Sequence, residues 1–301
     1  MKDRTYAEID VDALRDNIRI VREIVGDEVK ILCLVKAQAY GHGAIAVAKY
    51  CQDLLDYLGV ATVDEAIGLR RSGINLPILV VSDVSPDRYD DALRYDVELT
   101  VHSQESAISL DAFCKRVGKR AKAHLAVDSG MGRIGFLPDE IDVAARVYEL
   151  ANLHFVGIFT HFAKADEADK TYTRKQKKVF DDFVSNLRSR GIDVGLCHIA
   201  NSASILDMRD CNYQMARMGI MTYGLFPSEQ LRGTANLRPA MSWRARISHI
   251  KTLPKGNLIG YGGTYTTTRK TTVATVAVGY GDGYPRALSN KGYMLIGGKK
   301  A

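Results

Sequence analysis

Lys36 follows five apolar residues, Ile31-Leu32-Cys33-Leu34-Val35, and shortly precedes Tyr40-Gly41-His42-Gly43. An apolar run of that kind reads as a strand buried on both faces. The ammonium at its end can simply emerge into solvent, as most strand-end lysines do. Alternatively, desolvation removes its proton and leaves a nucleophilic amine, the form that condenses with an aldehyde cofactor. Other groups capable of chemistry also stand just behind apolar runs: Asp128-Ser129-Gly130-Met131-Gly132-Arg133, Thr160-His161-Phe162, His198-Ile199-Ala200-Asn201-Ser202 and Arg217-Met218-Gly219-Ile220. Taken singly, His161 is more often a core or rim histidine, and Arg133 or Arg217 a surface ion-pair partner. Together they share one end of successive runs, which independent surface residues have no reason to do. Ser202, Gly219 and the Ile220 amide suit an anion cradle, to which Tyr40 could add a phenolic donor. Gly41, Gly43, Gly130 and Gly132 are equally explained by tight turns, and His42 reads as serving its own turn.

The elements that must position these groups alternate. Short apolar runs at Ile31-Val35, Tyr57-Ala61, Pro77-Val81, Val97-Val101, Ala123-Val127, Phe155-Thr160, Val194-Ile199 and Gln214-Tyr223 predict eight strands. Between them lie helix-like stretches: Gly43-Asp56, Asp64-Ser72, Ser103-Val117, Pro138-Leu150 and Thr171-Arg190, with Gly73 and Gly191 as C-terminal caps. Eight βα units predict an α/β fold, a (β/α)8 barrel, with its chemistry at the C-terminal ends of the strands. After Leu225 the helices cease. Ser242-Ile250, Leu258-Tyr261, Thr271-Val278 and Tyr293-Ile296 read as strands of a small, mostly antiparallel β-domain. Thr5-Ile9 is an extra strand for it, and Asp10 caps a helix over Val11-Val25. The expected domains are therefore 10–236, the barrel, and 237–301 with 1–9, a partial β-domain. Gly297-Gly298-Lys299-Lys300-Ala301 reads as a hairpin turn whose returning strand is absent, so a C-terminally shortened domain is expected.

Of 301 residues, 46% are apolar and 25% charged, ordinary for a globular protein. The net charge of +6 is spread too evenly to suggest nucleic acid, though it suits small anions. No apolar run approaches the ~20 residues of a membrane span, and the charged start Met1-Lys2-Asp3-Arg4-Thr5 predicts no secretory signal. Five cysteines without C-x-x-C spacing predict reduced thiols in a cytoplasmic protein, with neither disulfides nor a metal site.

The chain resembles the alanine racemases, which are pyridoxal-phosphate enzymes built as a barrel plus a β-domain. The resemblance rests on Val35-Lys36-Ala37-Gln38-Ala39-Tyr40-Gly41-His42-Gly43, Asp128-Ser129-Gly130-Met131-Gly132-Arg133-Ile134-Gly135, Thr160-His161-Phe162-Ala163, Asn201-Ser202-Ala203, Arg217-Met218-Gly219-Ile220, Gly260-Tyr261-Gly262-Gly263-Thr264 and Gly279-Tyr280-Gly281-Asp282-Gly283-Tyr284. It implies interconversion of L-alanine and D-alanine for peptidoglycan, by a homodimer whose active sites are shared across the interface. Lys36 would hold the cofactor through an imine and act as the base for the D-enantiomer. Tyr261 of a second copy would be the base for the L-enantiomer, with His161 and Arg217 providing the charged network a phenol needs to act as a base at neutral pH. By the same resemblance Tyr40, Ser202, Gly219 and Ile220 bind the cofactor phosphate. Arg217 faces the pyridine nitrogen, which it cannot protonate, and that leaves the ring a weaker electron sink. Arg133 contacts the cofactor's phenolic oxygen and the substrate carboxylate. Two departures stand out: Gln38 replaces a common Asn, and Ala126 stands where many members carry a carbamylated lysine. The resemblance also implies a further C-terminal segment bearing site residues, so little or no turnover is expected of this chain. The alternatives are a racemase of another small amino acid such as serine, and a chain that binds the cofactor without turnover. A basic-amino-acid decarboxylase would need a different histidine motif and no second base, and a single-barrel vitamin-B6 carrier would not need the β-domain.

Overall fold

The computed structural model describes residues 4–301. They form two compact units, Asp10–Ala240 and the residues up to Ile9 together with Met241–Ala301.

Strand β1 (Thr5–Ile9) belongs to the smaller unit. The larger unit opens with the helix Val11–Val25, where the Asp10 carboxylate accepts the Ala13 amide at 2.9 Å and the helical spacing buries Ala13, Leu14, Ile18 and Val21. Eight strands follow: β2 (Lys30–Leu34), β3 (Tyr57–Val60), β4 (Ile78–Val80), β5 (Leu99–Val101), β6 (Ala121–Ala126), β7 (Leu153–Phe159), β8 (Leu196–His198) and β9 (Met215–Met218). The helices Ala44–Cys51, Val63–Arg71, Tyr89–Arg94, Gln104–Val117, Ile141–Val147, Thr171–Ser189 and Ser202–Asp207 alternate with them.

All strand pairs in this unit are parallel, in the orders β4-β3-β2-β9 and β5-β6-β7-β8. Two seams close the ring. Between β4 and β5, Glu98 N donates to Ile78 O at 2.8 Å and Val80 N to Glu98 O at 3.0 Å. Between β8 and β9, Arg217 N donates to Ala200 O at 3.1 Å and Cys197 N to the Gln214 side-chain oxygen at 3.0 Å. The result is a (β/α)8 barrel with Leu32, Leu34, Tyr57, Leu79 and Met215 packed together in its core.

The structure alters three details of the sequence reading. The eighth strand stops at Met218 rather than running to Tyr223, because Gly219 turns the chain and Ile220–Tyr223 forms a 3-10 turn. Pro138-Leu150 splits into a 3-10 turn, Pro138–Glu140, and the helix Ile141–Val147. Tyr89–Arg94 and Ser202–Asp207, too short to show a full apolar period, are additional helices.

In the smaller unit β1 pairs antiparallel with β10 (Met241–Ala245), from Thr5↔Ala245 to Ile9↔Met241. The expected single strand Ser242-Ile250 breaks at Arg246, where Arg246 N donates to Arg4 O and Arg246 O accepts from Ala277 N, both at 2.9 Å. There the chain passes from one partner to the next, and β11 (Ile247–Leu253) continues. Two short strands, β12 (Leu258–Ile259) and β13 (Tyr265–Thr266), pair with each other, and β14 (Thr271–Val276) pairs with β11. The hairpin thought to lack its return closes within the chain. β15 (Leu295–Ile296) meets β16 (Lys299–Lys300) across Gly297-Gly298, whose φ of 56° and 78° suit a two-glycine turn. Among the described residues no helix is long and apolar enough to cross a membrane.

Candidate active site

A cavity of about 240 Å³ opens at the C-terminal ends of the barrel strands, lined by residues that include Lys36, Tyr40, Arg133, His161, Ser202, Arg217, Gly219 and Ile220. The structure thus gathers in one place all but one of the site residues expected from the sequence. The exception, Tyr261, begins a 3-10 turn after β12 in the smaller unit and is 90% exposed.

Lys36 is delivered by β2, but the four residues after it do something the sequence did not announce. Ala37, Gln38, Ala39 and Tyr40 have φ of 50°, 55°, 53° and 54°, a turn of left-handed helix built from side-chain-bearing residues. Several contacts hold it. Ala39 N donates to Val35 O at 2.8 Å, Gly43 N to Gln38 O at 2.8 Å, and the Tyr223 hydroxyl to Leu34 O at 2.7 Å. The His42 ring stacks on Tyr223 at 4.3 Å, and its Nδ1 lies 3.0 Å from Ala39 O, which makes Nδ1 the protonated nitrogen. Glu65 ties the turn to the next strand, its two carboxylate oxygens accepting the Ala37 amide at 2.6 Å and the Ala61 amide at 2.8 Å. Partial burial and then the Arg133 guanidinium push the Lys36 amine below its ordinary pKa, against an opposing pull from Glu65. The shift is toward the neutral, nucleophilic form.

Arg133 ends a loop wound around one carboxylate. Asp128 accepts the amides of Gly130, Met131 and Gly132 on one oxygen at 2.8–3.0 Å and that of Arg133 on the other at 3.1 Å. Gly135, at φ +123°, lies so close to the strand that a Cβ would sit 2.6 Å from Asp128 N. The motif's acidic residue therefore shapes the loop. Among the described residues no carboxylate pairs with the Arg133 guanidinium, and nothing at Ala126 takes the place of a lysine carbamate. This leaves a cationic fork beside Lys36 available to an anion.

His161 stands at the end of β7, where buried Gln176 fixes the backbone by accepting Ala163 N at 2.9 Å and donating to His161 O at 3.1 Å. Burial first, then Arg217, Arg133 and Lys36, hold the imidazole pKa down to about 3, so it is neutral. Its Nδ1 accepts from Arg217 at 3.2 Å, which puts the proton on Nε2. Arg217, buried on β9, donates to His198 O and Thr160 O at 2.7 Å, Ile199 O at 3.2 Å and His198 Nδ1 at 3.0 Å, and it lies over the Phe159 ring. Burial and Arg133 lower its pKa, while these acceptors favour the charged form.

The expected phosphate cradle is compact. Ser202 Oγ accepts the Gly219 amide at 2.9 Å, and a Cβ on Gly219 would lie 3.3 Å from Tyr40 OH and 3.6 Å from Ser202 Oγ. Any larger residue would fill the space. Burial raises the Tyr40 pKa and keeps it a phenol, hence a donor to an anion. A cradle of hydroxyls and amides, an arginine on β9 and a depressed lysine across one cavity fit a phosphorylated pyridine aldehyde in size and in donor set.

The sequence reading missed Glu65, Asp128, Gln176 and Tyr223 as shapers of the site. Thr62-x-x-Glu65 reads as a helix-capping box. The Thr62 side chain does accept the Glu65 amide at 3.2 Å, but the Glu65 carboxylate turns to the strand ends instead.

Family models for the alanine racemase N-terminal domain and C-terminal domain match residues 9–227 and 240–301. An alanine racemase of Desulforamulus reducens is 46% identical over all of this chain and 82% of its own length, and one of Halothermothrix orenii is 44% identical over 99% of this chain and 79% of its own. Among solved structures, an alanine racemase of Clostridium difficile superposes with a TM-score of 0.91 at 39% identity, covering 95% of this chain and 76% of that one. Another, from Bartonella henselae with covalently bound pyridoxal phosphate, gives 0.88 at 25% identity, covering 99% and 82%. With both domains matched in order and relatives this similar along its whole length, the chain belongs to the alanine racemase family.

Proposed function

We propose that this protein interconverts L-alanine and D-alanine with pyridoxal phosphate bound in the barrel cavity. The observation that carries the reading is the convergence of Lys36, Arg133, His161, Arg217 and the Tyr40–Ser202–Gly219 cradle on that one cavity. When bound, the cofactor supplies an aldehyde carbon to Lys36 and an electron-withdrawing ring that acidifies the Cα–H of an attached amino acid. Lys36 Nζ, its pKa lowered by partial burial and by Arg133, is the group that would hold the aldehyde and, when free, would take or return the Cα proton on one face. Tyr40, Ser202, Gly219 and the Ile220 amide anchor the phosphate. Arg217, a donor only, would face the ring nitrogen without protonating it, and Arg133 would orient the substrate carboxylate as a bidentate fork.

Inversion needs a second base, because a single base returning its own proton regenerates the starting enantiomer. Tyr261 takes that part, presented by a second copy in a homodimer whose two active sites are shared, and its 90% exposure on the smaller unit supports this assignment. The reaction is assigned to the cytoplasm, where it would provide D-alanine for peptidoglycan. Five free, buried thiols suit that reducing compartment.

The test is Cα-hydrogen exchange in deuterated water with the loaded protein. L-alanine should yield deuterated D-alanine, which reverses the expectation of little or no turnover, and Lys36→Ala should lose both this exchange and the borohydride-reducible colour. Tyr261→Phe should abolish exchange from L-alanine while D-alanine still exchanges through Lys36. Colour that survives Lys36→Ala and resists borohydride refutes the role of that lysine, and equal exchange of both enantiomers in Tyr261→Phe refutes the second base.

A further inference from the structure

Behind Arg217 a line of polar side chains runs through the barrel core. His198 Nδ1 lies 3.0 Å from the Arg217 guanidinium, His198 Nε2 lies 2.9 Å from His124 Nδ1, and His124 Nε2 lies 2.8 Å from Glu98 Oε2. Arg217 and Glu98 are 5% and 4% exposed, and both histidines 0%. The chain has made room for it. A Cβ on Gly157, in β7 between the strands bearing the two histidines, would lie 2.6 Å from His124 Nδ1 and the same distance from Leu196 O. Edge-on contact with Tyr57 at 6.4 Å and stacking of Phe159 on His198 at 5.0 Å fix the rings from the apolar side.

The two ends of this line differ in kind. A guanidinium can only donate and a carboxylate can only accept, so the direction of every bond between them is determined. Arg217 donates to His198 Nδ1, which leaves the His198 proton on Nε2. That proton is given to His124 Nδ1, and the His124 proton on Nε2 is given to Glu98. Each ring carries one proton, in one tautomer. Reversing either ring sets two N–H groups against each other inside a dry core, at a cost of about 1–3 kcal/mol for each unmade bond. The depressed pKa of His198, caused by its burial and then by Arg217 and His124, agrees with a ring that carries one proton. Among the described residues Glu98 forms its one ion-pair contact with His124, and its charge is also felt by the Arg70 guanidinium.

We propose that Glu98 is a positioning residue for Arg217, fixing through His124 and His198 the acceptor that orients the guanidinium toward the cavity. The proposal rests on the reading that Arg217 faces the cofactor ring. Glu98 itself touches neither cofactor nor substrate.

Glu98→Leu is the discriminating change, because it leaves the His124 Nε2 proton with no acceptor, so that keeping the two tautomers and reversing them each cost an unmade bond, whereas Glu98→Gln still offers an amide oxygen. Long-range 15N spectra of the histidine-labelled holoenzyme report the tautomers. In the parent protein and in Glu98→Gln, His124 and His198 should both be protonated at Nε2. In Glu98→Leu a second signal set with protonated Nδ1 should appear, and kcat should fall about tenfold or more, in the range for loss of an outer partner, with the KM for alanine held within about twofold and with kcat largely restored in Glu98→Gln. Either ring protonated at Nδ1 in the parent overturns the proposal even if the variant fails to fold. Unchanged tautomers in Glu98→Leu also overturn it. Altered tautomers with unchanged kcat refute the link from Glu98 to the reaction while leaving the assignment of Lys36 and Tyr261 intact.

Discussion

Removal of the Glu65 carboxylate, as in Glu65→Ala, tests how the nucleophile is held. Four consecutive non-glycine residues in left-handed geometry cost roughly 1–2 kcal/mol each, so the turn behind Lys36 would not persist without external restraint. Glu65 supplies two charge-assisted bonds at its base, 2.6 Å to Ala37 N and 2.8 Å to Ala61 N. Each such bond contributes about 1.5–3 kcal/mol when shielded. Glu65 is only partly buried, so water recovers part of this and a net loss of about 2–3 kcal/mol is expected. At 1.4 kcal/mol per tenfold, hydrogen-exchange protection of the Ala37 amide should drop about 30- to 150-fold. Glu65→Gln, which keeps one acceptor, should fall between. The charge effect runs the other way: Glu65 raises the Lys36 pKa, so its removal alone leaves more neutral amine and faster capture of the aldehyde. Because an amine on a loosened turn spends less time facing the cavity, capture of pyridoxal phosphate by Glu65→Ala, followed as growth of its lysine-bound absorbance, should nevertheless slow. Unchanged protection at Ala37, or faster capture, would refute the claim that Glu65 clamps the turn.

Two further outcomes follow from the geometry. The folded pKa of His161, down to about 3, is below its unfolded value, so the folded state binds fewer protons. The contribution is therefore fully present above about pH 6.5 and is lost as pH falls from there toward 3, by about 1.4 kcal/mol per pH unit. Urea midpoints between pH 7 and 5 should accordingly decline less steeply in His161→Gln than in the parent. Gly224 has φ +79°, and a Cβ there would lie 1.9 Å from the Arg238 carbonyl oxygen. Gly224→Ala should thus destabilise the barrel unit by roughly 3 kcal/mol or more in denaturant titration, and a variant within 1 kcal/mol of the parent would show that the Ile220–Tyr223 turn shifts freely.

The barrel was legible because both-face-buried strands leave an unmistakable mark: runs such as Ile31-Leu32-Cys33-Leu34 are apolar throughout, and the intervening helices carry one-sided patterns with caps at Asp10 and Ser103. The same marks blur in the smaller unit. There the strands are short and mostly exposed, and the break at Arg246 depends on which neighbour each half finds. Of the candidate site, the residues that face the cavity were readable from their place behind apolar runs. The ones that hold them were not, since Glu65, Gln176 and Glu98 act on backbone or side chains far away in sequence.

What the sequence determined on its own was the alternation of elements and the list of reactive groups at the strand ends, because both follow from local periodicity and from the position of each residue after its strand. The tertiary structure alone decided the left-handed turn behind Lys36 and the direction of the bonds from Arg217 to Glu98. Each is unfavourable or undefined locally, and becomes fixed only when distant strands bring donors and acceptors within 3.0 Å, at the partly exposed Glu65 carboxylate for the turn and in a core from which water is excluded for the line from Arg217 to Glu98.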